Sequence, residues 1–484
     1  MSCTTPVTFA ETPPSARPST QLLKVHETVE ELSLEADEPQ AAIADDTTLG
    51  AVSVEVLKSG LSKTVTSEFT LEEALAMALE ANLAIKRQEA VTRQAKAQYY
   101  TKMAALLPDI ETSFSRDYFH GPIQIFGNRN IDISRQIEQP ALLFRFPVFR
   151  GGRDFFQMRA AKHSLNAQQA VEAGQQQAVL QQTAAQFYEL KRQLAQVKIA
   201  QKQRDEVEET LRINEARMEA GLGTRLEVAQ TKAQLATAKA AVLTAIQAAQ
   251  FAALALNETL NLPAIVDVVP ANETDLTLKR LITTDKNVPE LVVVATENRQ
   301  EIQALDKEIA ALKQLRKIAL SAILPEVTVE VGVGLSGPTV GRAQPYDSQS
   351  YGATMKFTDL GLPVLTGLKQ NSAQIDEKLA VLEAQHKAIE KEIAQAWLDT
   401  QNKEALVEQA HAQIEAAALA QSDALARLKL GVGRNIDVLD AETRLNEARQ
   451  NYVAAVMQYN QAHVNLVFAL GLASVDALTH GVAL

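Results

Sequence analysis

Ile323-Leu324-Pro325-Glu326-Val327-Thr328-Val329-Glu330-Val331-Gly332-Val333 is the stretch on which the fold turns. Up to the proline the pattern is helical, and a proline cannot continue a helix. Beyond it Val327, Val329, Val331 and Val333 alternate with Glu326, Thr328, Glu330 and Gly332. A period of two puts the valines on one face of a strand and the polar residues on the other. The same switch stands 217 positions earlier, at Leu106-Leu107-Pro108, where Ile110, Thr112 and Phe114 alternate with Glu111, Ser113 and Ser115.

Other landmarks recur in the same order. Pro147-Val148-Phe149-Arg150-Gly151 returns as Pro363-Val364-Leu365-Thr366-Gly367. Ala216-Arg217-Met218 with Gly221-Leu222-Gly223 returns as Ala426-Arg427-Leu428 with Gly431-Val432-Gly433. Leu260-Asn261-Leu262 returns as Leu470-Gly471-Leu472. Ordered recurrence at a near-constant offset marks two copies of one unit of roughly 210 residues.

Composition narrows the function classes. A net charge of -12 argues against nucleic acid, whose phosphates need a basic surface. The single cysteine, Cys3, cannot form an intramolecular disulfide, and the seven histidines show no ligand spacing. No nucleophile, base or metal constellation stands out, so neither an enzyme nor a cofactor is expected. No unbroken apolar run of about 18 residues occurs, so no transmembrane helix is expected, but this test does not detect short alternating membrane strands. No basic segment followed by an apolar stretch opens the chain, so no secretory signal is visible.

The chain divides into a leader, two repeats and a tail. Residues 1–66, rich in Pro, Ser, Thr and acid, form a disordered leader. The first repeat, 67–286, opens with a helix at Thr70, whose Glu73 completes a capping box, and this helix runs to Pro108. Strands at 109–120 and 136–149, a long helix at 153–220 and a returning helix at 224–260 follow. Gly121-Pro122 and Gly127-Asn128 mark the loop between those strands. The second repeat, 287–472, has strands at 326–336 and 351–365, a long helix at 369–430 and a returning helix at 435–470. Residues 473–484 are a tail. Each long helix spans about 100 Å at 1.5 Å per residue, roughly the length of two shorter helices end to end. One long helix beside two stacked short ones is therefore expected.

Four strands cannot close a barrel, and open edges are not tolerated in lipid. Other copies of the chain must complete the barrel, and three copies supply twelve strands.

The ordered set of motifs resembles the TolC-like outer-membrane efflux and secretion channels, from about Phe69 to Leu472. The residues that carry the likeness are Leu71-Glu72-Glu73-Ala74-Leu75 with Asn82, the two Leu-Pro junctions, Phe146-Pro147-Val148-Phe149-Arg150-Gly151-Gly152, and Gly431-Val432-Gly433 before Asp437-Val438-Leu439-Asp440-Ala441. The resemblance implies mixed α and membrane-β architecture: a homotrimeric 12-stranded β-barrel in the outer membrane continued by a long α-helical barrel in the periplasm. It further implies a periplasmic adaptor protein docked at the tips, an inner-membrane pump behind it, and passive conduction of small molecules or polypeptides with no chemistry.

Asp437 and Asp440, three apart, share a helix face just past the second glycine turn. The resemblance makes them the lining of the pore entrance, where rings of carboxylates select cations. As a helix pattern alone they are also ordinary N-terminal acids favoured by the dipole. Glu227 holds the matching place in the first repeat. Arg434 and Arg225 are candidates for gate pairing with these acids across coils. Gly221, Gly223, Gly431 and Gly433 are turn residues, and Leu222 and Val432 between them are expected to be exposed for docking. A soluble or periplasmic coiled-coil scaffold is the alternative, but it leaves the four symmetric alternating segments unexplained.

Overall fold

A computed structural model describes residues 65–484 except 126–128, 272–275, 284–285, 336–347 and 358–361. The leader up to residue 64, Cys3 and Gly127-Asn128 lie outside the described residues.

The leading helix expected in each repeat is two helices. Thr70 caps α1 (Leu71–Ala81) with the anticipated reciprocal bonds to Glu73. The chain then breaks at Asn82 (φ −60, ψ 129) and restarts as α2 (Leu83–Ala104). Asn82 ends one helix and caps the next, accepting from the Ala84 amide at 2.8 Å. In the second repeat α5 (Val288–Asn298) and α6 (Gln300–Ser321) part at Arg299 (φ −68, ψ 122). Apolar spacing continues across both breaks, so periodicity alone runs the helices together.

Strands β2 (Asp109–Ile125) and β3 (Arg129–Arg150) outrun the expected 109–120 and 136–149. Gly121-Pro122, read as a loop, pairs within the ladder, with Pro122 opposite Asp132. Proline is tolerated there because β2 is an edge strand with one side unpaired in this chain. Pro147 lies in β3 beside a bulge that shifts the register between Pro147 and Phe149, one of the places where a strand accepts proline. Strands β6 (Glu326–Gly334) and β7 (Ser348–Lys356) complete an antiparallel sheet in the order β2-β3-β6-β7.

The repeat symmetry fails at one junction. Residues 362–365, expected as strand, begin helix α7 (Leu362–Lys429), while the matching Pro147 is in a strand. Proline suits a helix's first turn, where its absent N–H would be unpaired anyway. In the first repeat α3 (Arg153–Glu219) instead starts after Gly151 and Gly152, whose φ values of +63 and +78 make a sharp turn.

The two long helices, 67 and 68 residues, each pack against an incoming and a returning helix. Helix α4 (Arg225–Leu260) returns along α3, and α8 (Asn435–Ala469) along α7. Helix α4 is long and apolar enough to cross a membrane by length and composition, although Thr244, Gln247 and Gln250 interrupt any unbroken run. It lies on α3 and exposes Leu243, Phe251 and Leu254.

The core sits midway along the long helices, where Leu190 and Ile393 meet Leu75, Leu256, Leu291 and Leu470. Two small parallel sheets flank it: β1 (Val65–Phe69) with β4 (Val266–Pro270), and β5 (Ile282–Thr283) with β8 (Val482–Ala483). The tail thus carries structure, a short helix α9 (Val475–Thr479) followed by β8.

Candidate functional site

At the far end from the sheet, each long helix ends in the same turn. Leu222 N donates to Arg217 O (2.8 Å) and Gly221 N to Met218 O (3.0 Å); Val432 and Gly431 repeat the pair onto Arg427 O (3.0 Å) and Leu428 O (3.1 Å). This is the Schellman closure, which needs a left-handed residue after the cap. Gly221 and Gly431 supply it at φ +74 and +81. Gly433 is required for a different reason: a Cβ there would lie 2.8 Å from Leu428 N and 2.9 Å from the Arg427 carbonyl carbon. Leu222 is 73% exposed and Val432 78%, with Leu226, Leu430 and Ile436 exposed beside them.

The two returning helices start differently at matching positions. In α4, Thr224 and Glu227 form a capping box: Thr224 N donates to Glu227 Oε2 at 2.8 Å and Glu227 N to Thr224 Oγ1 at 3.3 Å. In α8 the cap is Arg434, which makes no side-chain cap bond. Its guanidinium instead grips Asp437 with two bonds, Nη2–Oδ1 2.7 Å and Nε–Oδ2 3.1 Å. That charged hydrogen bond holds the Asp437 carboxyl below its ordinary pKa. Asp440 pairs with Arg444 at 2.9 Å, one turn on. Both aspartates are exposed on one side of α8, flanking the buried Val438 and Leu439. Arg434 therefore pairs at the start of its own helix, and among the described residues it forms no ion pair across coils. Arg225 is exposed and forms no ion pair among the described residues.

A buried polar seam joins α3 to α4 and α8 just above the tip. Glu206, Thr210, Asn214 and Arg217 follow at helical spacing along α3. Arg449 holds Glu206 with two 2.9 Å bonds, and Thr210 Oγ1 donates to Glu442 Oε1 at 2.6 Å. Asn214 donates to Thr231 (2.9 Å) and Asn435 (2.7 Å), and Arg217 Nη1 donates to the Leu428 carbonyl. Glu442 is 2% exposed, and its Oε2 has no hydrogen-bond partner. Burial pushes its pKa up, the Thr210 bond partly offsets this, and nearby Glu206 adds to the rise. Sequence reading missed this seam. Its signal was Thr210 and Asn214 interrupting the apolar stripe that Val207 begins.

Among the described residues no group of three or more His, Cys, Asp or Glu side chains is arranged to hold a metal. The geometry is that of a tip with paired charges, exposed apolar residues and a polar seam.

The family model for outer membrane efflux proteins matches residues 74–262 and 291–472, one segment in each repeat. The pyoverdine export outer membrane protein OpmQ of Pseudomonas putida is 27% identical over 282 residues, a match spanning 57% of this chain and 58% of that relative. The outer-membrane channel OprN superimposes with a TM-score of 0.73 at 21% identity, covering 90% of this chain and 99% of OprN. The outer membrane protein VceC of Vibrio cholerae gives 0.73 at 20% identity over 83% and 96%. At these identities the structures share the fold.

Proposed function

The chain belongs to the outer membrane efflux protein family, and from that premise we propose that it is the outer-membrane exit duct of a tripartite efflux or type I secretion system. Three copies form the channel. It passively conducts small molecules or polypeptides handed over by a periplasmic adaptor and an inner-membrane pump. The observation that carries this reading is the four-stranded sheet. Its two edge strands, β2 and β7, are unpaired within the chain. One face presents Ile110, Phe144, Val331 and Tyr351 in a row, and the other Asp109, Arg145 and Glu330. A sheet that near the helices is apolar on one face and charged on the other, with both edges open, suits lipid only when closed into a barrel with the polar face inside. A coiled-coil scaffold has no use for it.

In this reading Asp437 and Asp440 line the periplasmic entrance, with Glu227 at the matching first tip. Leu222 and Val432, presented by their glycine turns, meet the adaptor. Apolar side chains this exposed at a loop tip favour a partner surface. No catalytic step is assigned to any residue.

Native mass spectrometry of the detergent-solubilised protein tests the assembly. Three chains per particle are expected. A stable monomer would overturn the barrel, because one chain cannot satisfy its own strand edges in lipid.

A further inference from the structure

The barrel reading leaves one group unexplained. Arg145 stands in the middle of a row that crosses the sheet from Asp109 through Arg145 to Glu330 and Gly352. The row lies at the end of the sheet where the helices attach, since Asp109 opens β2 and α2 ends at Ala104. Its guanidinium reaches three carboxylates at once. Nε donates to Glu330 Oε1 at 2.8 Å, while Nη2 lies 3.6 Å from Glu111 Oε2 and Nη1 3.9 Å from Asp109 Oδ2.

The face of this row is polar. Moving along the sheet, the same side carries Glu111, Leu143, Gly332 and Ser350, and the opposite side Ile110, Phe144, Val331 and Tyr351. Ile110, Phe144, Val331 and Tyr351 are apolar or aromatic, as lipid-facing residues are. The Arg145 side therefore faces the lumen. Gly332 and Gly352 have no side chain to fill that lumen, so the longer charged groups reach furthest into it.

The nearby ion pairs are matched one to one. Arg153 pairs with Glu326 at 2.7 Å and Arg150 with Asp154 at 3.4 Å. Around Arg145 one cation faces three anions, and that surplus is open to the lumen: Asp109 is 70% and Glu111 53% exposed at the side chain. Threefold assembly repeats it around one mouth.

We propose that Arg145 with Asp109, Glu111 and Glu330 forms a charge-selective belt at the base of the barrel, acting on ions and small charged solutes in series with the tip. The proposal rests on the channel reading above. Arg145 is the specificity-determining group, because it partly cancels the carboxylates and so sets how strongly the mouth favours cations. A ring of fixed charge in a narrow pore enriches its counter-ion by simple Coulomb attraction, screened over about 8 Å at physiological salt.

The test is the reversal potential of the reconstituted protein in planar bilayers under a potassium chloride gradient. It is run in the Asp437→Asn, Asp440→Asn background so that the tip does not dominate. Arg145→Gln is expected to raise the potassium-to-chloride permeability ratio by about twofold or more, and Glu111→Gln to lower it. If neither variant moves the ratio while trimers form and conduct, the belt is overturned. Should Arg145→Gln fail to assemble, Glu111→Gln decides, because it leaves the 2.8 Å Arg145–Glu330 bond in place, and an unmoved ratio again overturns the belt. A background protein that assembles but never conducts sinks the channel reading itself, which separates the two failures.

Discussion

Asn82 and Arg299 hold the same joint in the two halves of the chain. The Asn82 amide Nδ2 donates to the Thr259 carbonyl at 2.8 Å, and Arg299 Nη1 donates to the Ala469 carbonyl at 3.2 Å. Each residue sits where its leading helix breaks, and each reaches the last turn of its returning helix. In each repeat one side chain thus ties the break in the leading helix to the end of the returning helix. Arg299 adds a two-pronged contact to Glu392 (3.1 and 2.9 Å) and stacks over Phe468.

Breaking the joint should loosen the middle of the molecule. Asn82→Ala removes a helix cap and orphans a buried carbonyl, at an expected cost of about 1–2 kcal/mol. Arg299→Met should cost more, about 2–3 kcal/mol, held below the fully buried limit because Glu392 is 40% exposed and can be rehydrated. Thermal unfolding of the solubilised protein measures both. An Arg299→Met protein as stable as the parent would show that the break is held by packing alone.

The raised pKa of Glu442 gives stability a pH dependence of known sign. Burial disfavours the charged form in the folded state only. The penalty is therefore absent below the unfolded-state pKa, grows between that value and the raised folded-state value, and is full above both. Glu442→Gln should raise the thermal midpoint at neutral pH, and the gain should shrink in mild acid. A gain independent of pH would mean that the effect is packing and not ionisation.

At the proposed entrance, Asp437→Asn with Asp440→Asn removes two exposed carboxylates and also frees Arg434 and Arg444, now paired at 2.7 and 2.9 Å. The tip should lose its cation preference and its block by a trivalent cation added from the periplasmic side, with assembly intact. Bilayer recordings identical to the parent's would leave the aspartates as helix-start acids.

The tip glycines should rank by mechanism. Gly431→Ala meets open space but a left-handed backbone, costing about 1 kcal/mol. Gly433→Ala drives a Cβ against the backbone of Arg427 and Leu428, so the turn itself must shift, at about 2–3 kcal/mol. Protease sensitivity at the tip reads this order, and the reverse order would refute the close-approach argument.

What the sequence by itself determined was whatever depends on near neighbours. The valine alternation after Pro325, the capping box at Thr70 and the glycine turns at Gly221 and Gly431 follow from a period of two, an i to i+3 contact and a positive φ, all properties of a few adjacent residues. The twofold repeat was legible for the same reason. The tertiary structure alone decided the rest. The breaks at Asn82 and Arg299 depend on carbonyls 177 and 170 residues away. Pro122 stays in a strand because β2 is an edge strand that pairs with β3 along the whole length of β2, and Pro363 enters a helix although its counterpart Pro147 does not. The seam from Glu206 to Arg217 is ordinary helix polarity in the sequence, and only α4, α7 and α8 packed against it give those groups partners. The charge surplus at Arg145 appears only when the ladder register sets three strands side by side. Contacts between residues distant in the chain are chosen by which surfaces can be buried together, and no local pattern encodes that choice.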